Sequence, residues 1–283
     1  MYKVKDIARA IERIAPLALQ EDYDNAGLQV GDPEAEVGAV LVALDVTEET
    51  VAEAYALTAE RTRSGVARGR EGVTMIVSHH PLVFRPLRRL TPADYVGRTV
   101  IAAVRADVAL YAAHTNLDNA AGGVNSRIAD VLGLTDVQPL VPLPAGRAAG
   151  LPADVAARCG SGAVGMLPEA MTEEAFVRLV KERFRCPCVK HNRTGRPVRR
   201  VALCGGAGGG FIRDALRSGA DAYLTGEVGY HPFFGQTDLL ILEAGHYETE
   251  QYTVGLLTDL LREAFPGLDV HPTLHPARPI AVD

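Results

Sequence analysis

Six side chains that can bind metal ions occur in three short patches of this 283-residue chain. Each patch follows a run of apolar residues that is typical of a β-strand, so imidazole and carboxylate groups come where strands end. Such groups are ligands for hard and borderline divalent cations. The patches are His79-His80-Pro81, His114 with Asp118, and His246 with Glu250. If the patches converge, they supply more ligands than one ion needs, which indicates a site for two metal ions.

The first patch places two histidines side by side. On a regular strand, adjacent side chains point to opposite faces, but Pro81 removes a backbone donor and ends regular pairing. We therefore expect His79 and His80 to lie in a turn at the strand end, with both rings facing one cavity. The alternative is a surface pair without a role, and the two further patches favour metal binding over it.

The other two patches each combine a histidine with an acid four residues later. We interpret Asp118 as a metal ligand and His114 as a residue that lines the site or supports a ligand. Alternatively, Asp118 caps a helix that begins near residue 119. On a helix His246 and Glu250 would share one face, and the two oxygens of Glu250 could bridge two cations. The alternative there is an exposed helical pair.

Residues 205–210 are five glycines and one alanine between a predicted strand and a predicted helix. Their spacing fits neither the dinucleotide-binding nor the phosphate-binding glycine motif. The segment predicts either an anion site, in which Gly206, Gly208 and Gly209 present backbone N–H groups, or a tight turn that lets helix and sheet pack closely.

The elements that must position these groups alternate between strand-like and helical stretches, which predicts an α/β protein. Six apolar runs read as its main strands. They are residues 38–44, 73–77, 108–111, 201–204, 222–225 and 239–242. The later three runs repeat the order of the first three, and each set ends in a histidine followed by an acid.

We predict two similar βαβ-rich halves, residues 1–135 and 136–283, with the metal site at the strand ends between them. A connecting segment rich in proline and glycine, residues 139–158, opens the second half. By the same repeat, Glu227 and His231 fall on the rim that carries the metal ligands, where each is a candidate for proton transfer or substrate contact.

Composition limits the class of protein. The net charge of −6 provides no positive field for duplex nucleic acid. The basic cluster of Arg85, Arg88 and Arg89 and the scattered arginines at 193–200 remain local candidates for phosphate contacts only. We expect a cytoplasmic protein without a membrane segment, because no uncharged apolar stretch is long enough to cross a bilayer and the N-terminus lacks a signal-peptide pattern. The four cysteines form no C-x-x-C pair, which indicates free thiols.

With these residues in place, the chain resembles the NIF-three-like family, whose members are often called GTP cyclohydrolase I type 2-like. It resembles the compact form that lacks an inserted domain. The matching stretches, which together span nearly the whole chain, are residues 23–31, 43–47, 77–82, 114–118, 205–210, 222–227 with His231, and 245–250.

The resemblance implies two divalent metal ions held by five ligands, the last of them bridging. The ligands are His79, His80, Asp118, His246 and Glu250. Histidine and carboxylate accommodate zinc, iron or manganese, so the metal stays open. The resemblance also implies a toroidal homohexamer whose sites face an internal cavity.

We expect a metal-dependent hydrolase that acts on a nucleotide such as GTP, by opening its imidazole ring, or on a phosphoester. In that reading the glycine segment seats a phosphate, and His114, His231 or Glu227 moves protons. The alternative is a non-catalytic metal-binding scaffold, metal-storage or regulatory protein.

Overall fold

The computed structural model describes residues 1–63, 72–144, 146–148 and 150–282. Within these residues the chain forms twelve β-strands and ten α-helices. The strands are β1 (Tyr2–Lys3), β2 (Gly27–Val30), β3 (Glu36–Ala43), β4 (Val73–Ser78), β5 (Ala109–Ala112), β6 (Thr135–Pro142), β7 (Gly160–Met171), β8 (Lys190–His191), β9 (Val198–Cys204), β10 (Ala222–Thr225), β11 (Leu240–Glu243) and β12 (Asp269–Pro272). The helices are α1 (Val4–Ile14), α2 (Glu48–Arg63), α3 (Tyr95–Arg105), α4 (Thr115–Asp118), α5 (Val124–Leu132), α6 (Ala153–Ala156), α7 (Glu173–Phe184), α8 (Ile212–Arg217), α9 (His246–Glu250) and α10 (Tyr252–Ala264).

The chain divides into two compact units. The first contains Met1–Leu117 and Thr253–Ala277, and the second contains Asp118–Tyr252 and Arg278–Asp283. The predicted boundary at residue 135 therefore lies inside the second unit. The C-terminal segment returns to the first unit because β12 pairs with β3.

A six-stranded mixed sheet forms the first unit. β3, β4 and β5 are parallel neighbours, β2 is antiparallel to β5, and both β1 and β12 pair with β3. Parallel strands are covered on both faces and read as continuous apolar runs, and in β3 every residue from Val37 to Ala43 is buried. The core around Leu41, Ile76 and Leu110 packs against α2 and α3.

The second unit is built on another six-stranded mixed sheet, in the order β6-β7-β9-β10-β11-β8. β9, β10 and β11 are parallel, and β8 is antiparallel to β11. This set repeats the arrangement of β3, β4, β5 and β2 in the first unit, so the predicted α/β class and the two similar halves are confirmed. Ala202, Tyr223 and Ile241 form its core together with Ile212 and Ala215 of α8.

The predicted connecting segment, residues 139–158, is wrong at its start. Residues 139–142 are the end of β6, where Pro139 pairs with Ala163 and Pro142 pairs with Gly160. β6 is an edge strand of its sheet. An edge strand bonds to a neighbour on one side only, so it tolerates prolines that a central strand would not.

None of the helices in the described ranges combines the length and the apolar character that crossing a bilayer requires.

Candidate metal centre

In the first unit three histidines and an acid that supports one of them follow the carboxyl ends of three parallel strands. Asp45 follows β3, His79 and His80 follow β4, and His114 follows β5. The carboxyl ends of neighbouring parallel strands lie at one edge of the sheet, and ligands of open α/β sheets bind in the crevice outside that edge. Strand order therefore brings these side chains together.

A turn at the end of β4 turns both histidine rings toward each other. The backbone N–H groups of His79 and His80 donate to the carbonyls of Ala43 and Leu44, at 3.2 and 2.9 Å. In a regular strand, successive N–H groups point to opposite sides, so two consecutive bonds to the same neighbour show that the strand has ended. The two ring centroids are 4.8 Å apart.

Each ring of this pair is held through its Nδ1 atom. Nδ1 of His79 lies 2.8 Å from the carbonyl oxygen of Ala113, and Nδ1 of His80 lies 2.8 Å from the carboxylate of Asp45. An Nδ1–H donated to an oxygen fixes the tautomer and leaves Nε2 as the ligand atom. The His79 residue is fully buried, and His80 is half-buried.

His114 completes a three-histidine cluster with His79 and His80. One nitrogen of each ring can be chosen so that all three lie within 4.8 Å of one another. Nδ1 of His114 is 2.7 Å from the carboxylate of Asp24, a residue that precedes β2. The ring of His114 is therefore close enough to the other two rings to contact the same ion, and the carboxylate of Asp24 holds it in place.

Asp24 is the charged centre behind this cluster. Its side chain is fully buried, and it accepts hydrogen bonds from the backbone N–H and the hydroxyl of Thr115 as well as from His114. Burial alone would raise the pKa of Asp24, but the hydrogen bonds from His114 and Thr115 outweigh it and lower the pKa to about 2.

An Asp24→Asn variant is expected to lose stability in a pH-dependent way. The folded pKa lies below the ordinary value of 3.8, so the contribution of the carboxylate is fully present above about pH 4 and is lost as the pH falls toward 2. The shift corresponds to about 2 kcal/mol. Urea unfolding of the chelated protein and its variant between pH 3 and 6 measures the difference, and a gap that stays constant across this range would contradict the assignment.

In the second unit a histidine and two glutamates form a hydrogen-bonded set. His246 and Glu250 lie on α9, which follows β11, and Nε2 of His246 is 3.1 Å from the carboxylate of Glu250. Nδ1 of His246 is 2.7 Å from the carboxylate of Glu227, which follows β10. The residue Glu250 is 4% exposed, so its carboxylate has lost most of its water, and a nearby positive charge would compensate that cost. The alternative interpretation, an exposed His–Glu pair on a helix, does not fit this buried carboxylate.

Gly206, which follows β9, packs directly against this set. Its φ of +60° lies in the left-handed region, and a Cβ placed there would come 2.3 Å from Oε1 of Glu250 and 3.1 Å from Nε2 of His246. Glycine is favoured on both counts. The space that a side chain would fill is therefore the space beside the candidate ligand atoms.

The hydrogen bonds of the glycine segment favour a tight turn over an anion site. The N–H of Gly206 is donated to Oγ1 of Thr249, and the N–H of Gly208 is donated to Oγ1 of Thr225. Helix α8, which follows, has only six residues. Gly206 and Gly208 thus serve the packing of the site, and an anion contact by Gly209 stays a prediction.

Asp118 is the last residue of α4 and is tied to the glycine segment. The side-chain amide of Asn125 donates to the carbonyl of Asp118, while its oxygen accepts the N–H of Gly205. Partial burial raises the pKa of the Cys204 thiol, and the nearby negative charges of Asp118 and Glu250 raise it further. The two carboxylates therefore act on the same thiol.

The capping alternative for Asp118 is wrong. The predicted helix near residue 119 begins only at Val124, and its N-cap is Gly123. Asp118 instead lines a cavity together with Asn125, Ser126 and Arg158.

His231 is placed differently from the other predicted site residues. It lies on an exposed single turn of 3₁₀ helix after β10, and its ring packs edge-to-face on Tyr230 at 5.6 Å. Within the described chain, the close groups of three or more metal-capable side chains do not include His231.

Asp24 and Asp45 were missed by the sequence interpretation as supports for histidines. A signal existed for Asp45, because it follows the buried strand β3 as His79 follows β4. No local signal existed for Asp24, which is 90 positions from His114. The donor set as a whole, imidazole Nε2 atoms and carboxylate oxygens, fits the ligand preferences of zinc, iron and manganese.

Solved structures share this fold over nearly the whole chain. The Staphylococcus aureus hypothetical protein SA1388 superposes with a TM-score of 0.82 at 25% identity, covering 99% of both chains. A Bacillus cereus protein related to NIF3 superposes with a TM-score of 0.82 at 25% identity, covering 100% of this chain and 99% of the other.

Sequence comparison gives the same result. A GTP cyclohydrolase 1 type 2 homolog from Lactococcus lactis subsp. lactis is 33% identical, and the alignment covers 98% of each protein. The family model of Duf34/NIF3 (NGG1p interacting factor 3) matches residues 2–276. The resemblance found in the sequence is thereby confirmed, and the chain belongs to the Duf34/NIF3 (NGG1p interacting factor 3) family.

Proposed function

We propose that this protein is a metal-dependent hydrolase that acts on a nucleotide or another phosphoester. Two divalent ions, of zinc, iron or manganese, are the proposed cofactors. Their proposed ligands are His79, His80, Asp118, His246 and Glu250, with Glu250 bridging.

The observation that supports this proposal most is that four histidines are held in the same way, each through a hydrogen bond at Nδ1. In His79, His80, His114 and His246, Nδ1 lies 2.7 or 2.8 Å from a carbonyl or carboxylate oxygen. Histidines that bind metals nearly always have such a partner behind the ring, since it fixes the tautomer and makes the other nitrogen more basic. Three of these four histidines belong to the three-histidine cluster of the first unit, and the fourth lies against Glu250.

The side chains around the proposed ligands can each be given a separate role in a hydrolysis. Bound divalent ions would lower the pKa of a water toward neutrality and polarise the bond under attack. His114 would act as the base that accepts a proton, and the buried carboxylate of Asp24, bonded to its Nδ1, would stabilise the resulting imidazolium. Glu227 positions His246 through the bond to Nδ1. His231, exposed beside Tyr230, is the proposed contact for the substrate.

A nucleotide substrate is favoured by the name of the Lactococcus lactis relative, a GTP cyclohydrolase 1 type 2 homolog. Opening of the imidazole ring of GTP is a hydrolysis, so it needs the same activated water. A phosphoester remains the second substrate class, because paired metal ions suit in-line displacement at phosphorus.

Metal-loaded protein assayed against GTP, other nucleotides and simple phosphoesters tests the proposal. A His80→Ala variant is expected to lose at least about 100-fold in kcat/KM, since removing only a partner behind a metal ligand costs roughly 10- to 100-fold. His271→Ala, at an exposed histidine of β12, is the matched control and should keep full activity. If the metal-loaded protein turns over none of these compounds, the scaffold alternative is correct.

Self-association into a toroidal homohexamer belongs to the same proposal. Sedimentation velocity of the purified protein checks it, and a monomer at micromolar concentration would contradict it.

A further inference from the structure

An exposed aromatic pair lies beside the three-histidine cluster of the first unit. Phe84 is 40% exposed and Tyr23 is 68% exposed. The ring centroid of Phe84 is 6.1 Å from that of His114 and 6.4 Å from that of Tyr23. Large exposed aromatic side chains next to a polar site indicate a ligand-binding surface.

The backbone that carries Phe84 is held in place. The N–H of Val83 donates to the side chain of Gln29, and the carbonyl of Val83 accepts from the side-chain amides of Gln29 and Asn25. Leu82, one residue earlier, is buried in the core of the first unit. Phe84 is therefore preorganised, which lowers the entropic cost of binding a ligand on its ring.

Positive charge occurs on the same connection between β4 and α3. Arg85 follows Phe84 directly, Arg88 and Arg89 come after Pro86 and Leu87, and all three arginines are exposed. The planar guanidinium group of arginine matches the geometry of phosphate oxygens. An aromatic ring and several arginines on one loop provide the two kinds of contact that a nucleotide needs, stacking for the base and charge for the phosphates.

We propose that the ring of Phe84 forms a platform on which the planar base of a nucleotide stacks. Tyr23, whose ring is inclined at 64° to that of Phe84, contacts the edge of the base, and the arginines at 85, 88 and 89 contact the phosphates. The inference rests on the proposed function and narrows it, because a simple phosphoester has no base to place on the platform. Every base has an aromatic face, so the platform selects for a base without reading its identity.

Isothermal titration calorimetry of the metal-loaded protein tests the platform with GMP and with ribose 5-phosphate, which lacks the base. Phe84→Ala is expected to weaken GMP binding by about tenfold, the usual effect of removing a stacking ring, and to leave ribose 5-phosphate binding unchanged. Phe84→Tyr should restore GMP binding. Tyr55→Ala, at a 56% exposed tyrosine of α2, is the matched control and should bind GMP as the parent does.

A second substitution separates the two contacts. The double change Arg88→Gln and Arg89→Gln should weaken GMP and ribose 5-phosphate to the same extent. Equal binding of GMP by the parent and by Phe84→Ala would overturn the platform, and so would equal affinity of the parent for the two ligands.

Two further readouts keep the inference apart from the proposed function. Metal analysis of every variant shows whether the metal site itself is present, and repeating the titrations with chelated protein shows whether base preference exists without metal. A base preference that depends on Phe84 supports the platform even if no compound is hydrolysed. If Phe84→Ala changes the number of chains per particle in sedimentation velocity, the ring contacts a second copy of the chain and the platform is rejected.

Discussion

Replacing Glu250 with glutamine is expected to abolish metal binding without unfolding the protein. Glutamine keeps the size of the side chain and one oxygen acceptor, but it cannot balance the charge of a divalent ion. The loss of affinity should exceed the roughly 10- to 100-fold that follows from removing a partner behind a ligand. Glu250 is buried and faces His246, so no solvent-exposed group can take its place.

Elemental analysis and a fluorescent competition assay for zinc measure this effect. Glu248→Gln, on the same helix α9, is the control and should retain full metal content. The chelated Glu250→Gln variant should unfold at the same urea concentration as the chelated parent, since only the stabilisation by bound metal is removed. Unchanged metal content in Glu250→Gln would exclude this residue as a ligand and withdraw the bridging role.

Replacing Gly206 with alanine is expected to damage the site although glycine offers no ligand. The new methyl group would lie 2.3 Å from Oε1 of Glu250, closer than any two such atoms approach. Either the backbone of Gly206 or the side chain of Glu250 must move. A left-handed backbone with a Cβ costs a further 1–2 kcal/mol, roughly. We expect lower stability in chelator and a metal affinity reduced by more than about tenfold.

Two other glycine variants separate the causes of that loss. Gly133→Ala has a similar φ of +75° with open space around the Cβ position, so it reports the backbone cost alone. Gly210→Ala has neither a positive φ nor a close neighbour, so it should behave as the parent. If Gly206→Ala loses stability only as much as Gly133→Ala and binds metal normally, the contact with Glu250 does not matter.

The prediction of the site depended mostly on residue types and on where strands end. An apolar run followed by His79-His80 or by His114 predicts imidazoles at the carboxyl end of a strand from local sequence alone. The repeat of three such runs predicted the repeat of three parallel strands, because buried parallel strands require continuous apolar residues. Pro139 and Pro142 misled the same reasoning, since an edge strand accepts prolines that a central strand rejects.

The partners of the histidines could not be predicted in this way. Asp24 is 90 positions from His114, and Asp45 is 35 positions from His80. Such pairs meet only when strands from distant parts of the chain become neighbours in a sheet, and one sequence contains no local pattern for that. The glycine segment shows the same limit, because only the hydroxyls of Thr225 and Thr249 decide that two of its N–H groups are already taken.

The amino-acid sequence by itself determined which side chains of this protein are candidate metal ligands and that they come after strands, since both properties depend on neighbouring residues. The tertiary structure alone decided how each imidazole is oriented and which atoms surround it. Orientation depends on hydrogen bonds between segments far apart in the chain, and these form only when the two sheets fold.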